Sequence, residues 1–184
     1  MTRSPRPRAP GMSAAQDIES MIRVDHAGEY GAVRIYEGQL AVLRARPKSE
    51  ATTKIIEHMA EQEQRHLDAF DRIVNERRVR PTALEPLWRV AGFALGAATA
   101  LLGEKAAMAC TAAVEEVIDE HYAKQIERLD DEGLKKTISD FRADEIAHRD
   151  EAIAQGAEDA PGHRLLSGAI KAGCRLAIAL SERI

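Results

Sequence analysis

The sequence predicts an all-α protein. Apolar residues recur at helical spacing through long segments, and no stretch alternates apolar with polar residues over a strand's length. Aromatics are only 4% of the 184 residues, Ala and Leu are frequent, and β-branched runs are few, which also argues against an all-β design. The length suits one domain with a core that needs no disulfide staples. A disordered tail is expected over 1–16 and a single domain over 17–184.

The elements follow in order. The tail carries Arg3, Arg6 and Arg8 without an acid, as a mitochondrial transit peptide would. Pro5, Pro7 and Pro10 oppose the amphipathic helix that such a peptide needs, and no apolar core of a secretory signal is present. The first helix is predicted from about Asp17 to Ala45, before Pro47, and the second from an N-cap near Ser49 to before Pro81. Val90 to Gly103 are 14 consecutive uncharged residues, followed after Glu104 and Lys105 by nine more from Ala106 to Val114. Fourteen falls short of the roughly 20 that span a bilayer, so an apolar surface helix or a buried one is expected. Helical pattern resumes through Arg128, breaks at Asp130–Gly133, continues from Leu134 to Gln155, and breaks at Gly156–Gly162. A final amphipathic stretch runs from Arg164 to Ser181.

Composition removes several function classes. With 26 basic and 30 acidic residues, a net of −4, there is no basic stripe for nucleic acid. Cys110 and Cys174 lie far apart, so neither a disulfide framework nor a thiolate metal site is suggested, and reduced intracellular thiols are the expectation. No G-x-G-x-x-G follows a strand and no P-loop occurs.

Of the six histidines, only His66 and His148 have a glutamate three residues earlier, Glu63 and Glu145. On a helix that spacing puts carboxylate and imidazole on one face, within reach of one metal ion. With 19 glutamates in the chain, chance supplies such pairs, and an isolated Glu-x-x-His usually faces solvent. Placement changes the balance. Glu63 and His66 share a face with Ile56, Met59, Leu67 and Phe70, and Glu145 and His148 with Ile138, Phe141 and Ala152. Glu29 falls among Ile22, Tyr36 and Leu40, and Glu115 among Met108, Ala112, Ile118 and Tyr122. Four carboxylates on core faces require a compensating charge.

Order strengthens the case. Glu29 precedes its Glu-x-x-His by 34 residues and Glu115 precedes its own by 30. A Glu from each of two helices joined by Glu-x-x-His from two others is the ligand set of a ferritin-like di-iron or di-manganese bundle. Two divalent ions would cancel the four carboxylates, which equal the whole net charge of the chain. Asp25, Asp119 and Asp144 are candidates to accept hydrogen bonds from the ligating histidines. His26 and His121 do not fit the repeat and are expected to be structural or near-site residues.

The segments IRVDHAGEYGAVRIYEGQ at 22–39, EQEQRH at 61–66, RVRPTALEPLWRVAGFALGAATALLGEKAAMACTAAVEE at 78–116 and AGCRLAIALSERI at 172–184 resemble the demethoxyubiquinone hydroxylase family of ubiquinone biosynthesis. The resemblance implies a ferritin-like bundle with two iron ions per chain, on Glu29, Glu63, His66, Glu115, Glu145 and His148. It also implies O2-dependent hydroxylation of the ring of a polyprenylated methoxy-methyl-benzoquinol. It allows NADH as reductant, pathway partner proteins and a homo-oligomer, and no residue in the chain names any of them. Glu116 competes with Glu115, but one residue turns the side chain by about 100°, and Glu115 shares the face of Ile118 and Tyr122.

Such a substrate lives in the bilayer. Five arginines against two glutamates flank the apolar run over 72–89, and 163–184 carries four cations against Glu182. Peripheral docking of two apolar helices on an anionic membrane is therefore expected, on the cytoplasmic face of a bacterial inner membrane or, alternatively, the matrix face of the mitochondrial inner membrane. Gly92 and Gly96 equally permit plain helix packing. Iron storage and manganese catalase are the rival readings of the same six residues; the apolar run counts against storage.

Overall fold

The computed structural model describes residues 14–184, so the tail expected over 1–16 falls almost wholly outside the described residues. Six helices follow: α1 (Ala14–Leu43), α2 (Glu50–Arg77), α3 (Glu85–Leu102), α4 (Glu104–Ile126), α5 (Glu132–Ala154) and α6 (His163–Ser181). Two 3-10 turns, Pro47–Ser49 and Ala157–Asp159, sit in the connections, and no strand occurs among the described residues. The all-α expectation holds, and α1, α2, α4 and α5 form a ferritin-like four-helix bundle.

Local chemistry sets the ends. α1 starts three residues before the expected Asp17 and stops ahead of Pro47. Arg78, at φ 54°, takes the left-handed cap of α2. The uncharged run ends at Gly103, where φ of 122° separates α3 from α4. Only glycine adopts that backbone without strain, so one residue folds the long uncharged region into two helices. Asp131 caps α5 by accepting from the Leu134 N–H at 2.9 Å.

The chain is organised in two halves. α2 packs on α1 and α3 lies along α1; α5 packs on α4 and α6 lies along α4. Apolar residues fill the bundle on both sides of its polar middle. Along α1 the order is Ile22, Glu29, Tyr36, and along α2 it is Met59, Glu63, His66, Phe70, with all seven buried. The α1–α3 seam is closed by glycine. A Cβ at Gly96 would overlap the Ile35 carbonyl, one at Gly38 the Phe93 carbonyl, and one at Gly92 would lie 2.9 Å from the Gly31 oxygen. The packing role allowed for Gly92 and Gly96 is thus real. It leaves the other face of α3 outward, with Leu87, Val90, Leu101 and Leu102 exposed, while Leu165 and Leu176 are exposed on α6. Among the described residues, no helix is long and apolar enough to cross a membrane.

Candidate metal centre

Glu29 comes from α1, Glu63 and His66 from α2, Glu115 from α4, and Glu145 and His148 from α5; none is more than 3% exposed. Their donor atoms converge in two groups. Glu29, Glu63, His66 and Glu145 form one, and Glu63, Glu115, Glu145 and His148 the other, with the donor atoms in each lying within 4.8 Å of one another. Glu63 and Glu145 belong to both. Glu116 turns outward to pair with Lys171 at 2.6 Å, which leaves Glu115 as the inward residue.

Eight atoms of this cluster are buried without a hydrogen-bond partner. They are Nδ1 of His66 and of His148, both oxygens of Glu63 and of Glu145, and Oε2 of Glu29 and of Glu115. Leaving one buried polar atom unpaired costs about 1–3 kcal/mol, so eight together call for a cation. An oxygen-rich set with two imidazoles and no thiolate suits iron or manganese. The residues present therefore fit a dimetal centre.

Electrostatics point the same way. Burial and the neighbouring carboxylates push the Glu63 and Glu115 carboxyls well above the usual carboxylate range. Burial also raises Glu145, with His66 beside it working in the opposite direction. For His66 burial opposes the charge, but Glu145 and Glu29, 3.3 and 3.5 Å from its Nδ1, outweigh it and hold the imidazole at about 11. Burial instead pushes His148 below its ordinary value. Without metal, Glu63, Glu115 and Glu145 resist ionisation because they are buried side by side.

Two tyrosines orient the terminal glutamates across the bundle. Tyr36 on α1 donates to Glu115 Oε1 at 2.6 Å, and Tyr122 on α4 donates to Glu29 Oε1. Burial and the facing carboxylates raise both phenols well above their usual value, so they remain donors. The sequence reading placed these tyrosines on core faces but missed the crossed bonds. The signal was available: each tyrosine stands seven residues after its own helix's glutamate. Gln39 and Gln125, ten residues after, cross as well, to Thr111 and Asp25 respectively.

The three candidate acceptors divide. Asp144 lies 3.0 Å from His66 Nε2 and serves that ring. Asp119 instead takes Arg142 at 2.6 Å and Arg149 at 3.3 Å, and Asp25 pairs with Gln125 at 2.7 Å and His121 at 3.3 Å. Neither serves a ring of the cluster, because each points from its helix towards a side chain nearer than any imidazole of the centre. His148 Nε2 meets Gln62 Oε1 at 3.1 Å, a partner the sequence reading did not name. His26 is tied to Asp71 at 2.8 Å, in keeping with a structural role.

Beside the cluster, a cavity of about 600 Å³ lies between α1, α3, α4 and α6. Its walls are mostly apolar, and Glu29, Tyr122, Asp25, His121 and Ser181 are among its polar members. A Cβ added at Gly28 or Gly31 would meet nothing within 4 Å, so those two glycines leave the space open. Leu176 lines the cavity and is 60% exposed, which puts the opening at α6. Trp88 ties α3 to α6 at this edge, its indole N–H donating to Ser181 Oγ at 3.1 Å.

Comparison with known proteins agrees with this architecture. Residues 16–181 match the family described as Ubiquinone biosynthesis protein COQ7. The chain is 58% identical over 180 residues to a Rhodospirillum rubrum protein named 3-demethoxyubiquinol 3-hydroxylase, covering 96% of this chain and 84% of the relative. It is 50% identical over 173 residues to the human protein named NADPH-dependent 3-demethoxyubiquinone 3-hydroxylase, mitochondrial, covering 91% and 78%. A yeast relative named 5-demethoxyubiquinone hydroxylase, mitochondrial, is 39% identical over 197 residues, covering 97% of this chain and 84% of the relative. With the match running through all six helices, the chain belongs to the Ubiquinone biosynthesis protein COQ7 family.

Proposed function

We propose that this chain is a di-iron monooxygenase of ubiquinone biosynthesis, hydroxylating the ring of demethoxyubiquinol with O2 and a reduced nicotinamide nucleotide. The observation that carries the reading is the adjacency of an apolar cavity to the six-residue cluster, with Glu29 and Tyr122 belonging to both. Its volume lies in the ordinary range for a small-molecule site. Storage and peroxide disproportionation need no such cavity, so this adjacency favours the hydroxylase over both rivals.

Glu29, Glu63, His66 and Glu145 would hold one iron and Glu63, Glu115, Glu145 and His148 the other. When bound, the metals supply the redox chemistry that activates O2. The chain supplies the rest. Tyr36 and Tyr122 fix the carboxylates of Glu115 and Glu29 by hydrogen bonds. Ala27, Gly28, Gly31 and Ala32 keep the wall beside Glu29 low, so that a ring can approach it, and the apolar lining excludes bulk water. Asp25 and His121 offer the polar groups that can meet the hydroxyls of a quinol. In the overall reaction one oxygen atom enters the ring, the other leaves as water, and the nucleotide contributes two electrons. The reductant is named as NADPH for mitochondrial relatives, whereas the resemblance allowed NADH; either delivers the same electron pair.

The substrate's prenyl tail makes a membrane the natural source of substrate. Exposed Leu87 and Val90 on α3 and Leu165 and Leu176 on α6, with Arg89 and Arg164 exposed on the same helices, suit peripheral docking on anionic lipid. The decisive experiment measures iron content, then O2-dependent hydroxylation of a short-tail demethoxyquinol. Iron-loaded protein that disproportionates peroxide but does not hydroxylate overturns the reading. Sedimentation with anionic vesicles at low salt tests the docking separately, and failure to bind removes it.

A further inference from the structure

The inward donors of the two metal groups are near copies of each other, but the acceptors behind the two imidazoles are not. Asp144 and Gln62 occupy corresponding places, each immediately before the glutamate of a Glu-x-x-His and each facing the histidine of the other helix. Because both acceptors are oxygens, each ring donates from Nε2, which leaves Nδ1 as the nitrogen that would face a metal. A carboxylate takes a stronger, charge-assisted hydrogen bond than an amide and makes the ring a better donor through its other nitrogen. His66 has the carboxylate and His148 the amide. Their settings differ in the same sense: His66 groups with Glu29, which lines the cavity, and His148 with Glu115, which does not.

We propose that Asp144 and Gln62 are positioning residues that make the two metal positions unequal, the cavity-side position at Glu29 and His66 binding a divalent cation more tightly. The inference rests on the dimetal reading above and goes beyond it by ranking the two positions. Asp144 and Gln62 are both partly exposed at the bundle surface, so Asp144→Asn and Gln62→Glu change charge without opening the core.

The test is anaerobic titration of metal-free protein with Co2+, followed by calorimetry and by the visible absorption of the bound ion. The wild type is expected to fill in two steps separated at least tenfold in affinity. Asp144→Asn should weaken the first step by about 10–100-fold and merge it with the second. Gln62→Glu should tighten the second step, a gain that a merely structural role would not produce. His66→Ala should remove the tight step and leave the weak one. Two equal steps in the wild type overturn the ranking, as does an unchanged separation in Asp144→Asn, no tightening in Gln62→Glu, or loss of the weak step in His66→Ala. Should Asp144→Asn fail to fold, judged by its helical circular dichroism, Gln62→Glu decides alone. A wild type that takes up no Co2+ at all overturns the dimetal reading as well.

Discussion

The metal cluster and the cavity beside it share a wall at Glu29 and Tyr122 but are made of opposite materials. One is packed with buried polar atoms that have no partner. The other is a space bounded almost entirely by apolar atoms, kept open by side chains that are absent. The cluster is completed by adding charge and the cavity by adding a hydrophobic guest, so a mutation can spoil either room without touching the other.

Glu145→Ala should have the largest effect, because Glu145 belongs to both donor groups. Metal content should fall from two per chain to substoichiometric, and hydroxylation with it, while the cavity remains. Two metals per chain persisting in the purified variant would contradict the ligand assignment. The cavity is probed by a matched pair along the α1–α3 seam. Gly96→Val forces a side chain into the Ile35 carbonyl and should cost about 1–3 kcal/mol or more, read as a lower Tm. Gly31→Val, directed into open space, should leave Tm unchanged or slightly higher, since glycine is a poorer helix former by a few tenths of a kcal/mol. Its cost should appear as a raised KM for the quinol at unchanged metal content. Equal Tm losses in the two variants would mean that the cavity is not open at Gly31.

A smaller effect concerns protons. In the metal-free cluster, burial and the neighbouring carboxylates make Glu63 and Glu115 bind protons more tightly than free carboxylates do, so entering metal competes with protons there. Metal affinity should therefore fall as pH falls, and calorimetry in two buffers of different ionisation heat should count released protons; a count of zero would refute it. The least effect is expected from Asp131→Ala, far from both rooms, which removes the α5 cap at about 1 kcal/mol. The Leu134 N–H and Arg77 hold the Asp131 carboxyl below 3.8. Its stabilisation is therefore present above that pH and lost as pH falls through the lower folded value, so wild type and variant should converge in Tm in acid.

Much of this was legible because buried acids on a helix face are costly enough to betray themselves. Glu29, Glu63, Glu115 and Glu145 were selected by that cost and by their order, and the structure brings all four together with both histidines. What stayed hidden involved partners on other helices. Nothing local in Gln62 marks it as the acceptor for His148, and Asp119, four residues after Glu115, turns to two arginines. Gly103 was hidden for another reason. The uncharged run stops at Gly103, but only the φ of 122° shows that the helix itself breaks at this residue.

The crossed bonds make each half of the chain depend on the other. Tyr36 reaches from the first three helices to Glu115 in the last three, and Tyr122 reaches back to Glu29. Such reciprocity is what a two-fold pair of identical three-helix units requires, since each contact is then made twice by one pair of positions. A single unit would lack a partner for its own glutamate, whereas two copies would satisfy every tyrosine and complete the donor set. The two halves are not identical, since Gln62 stands where the other half has Asp144, and Thr111 where it has Asp25.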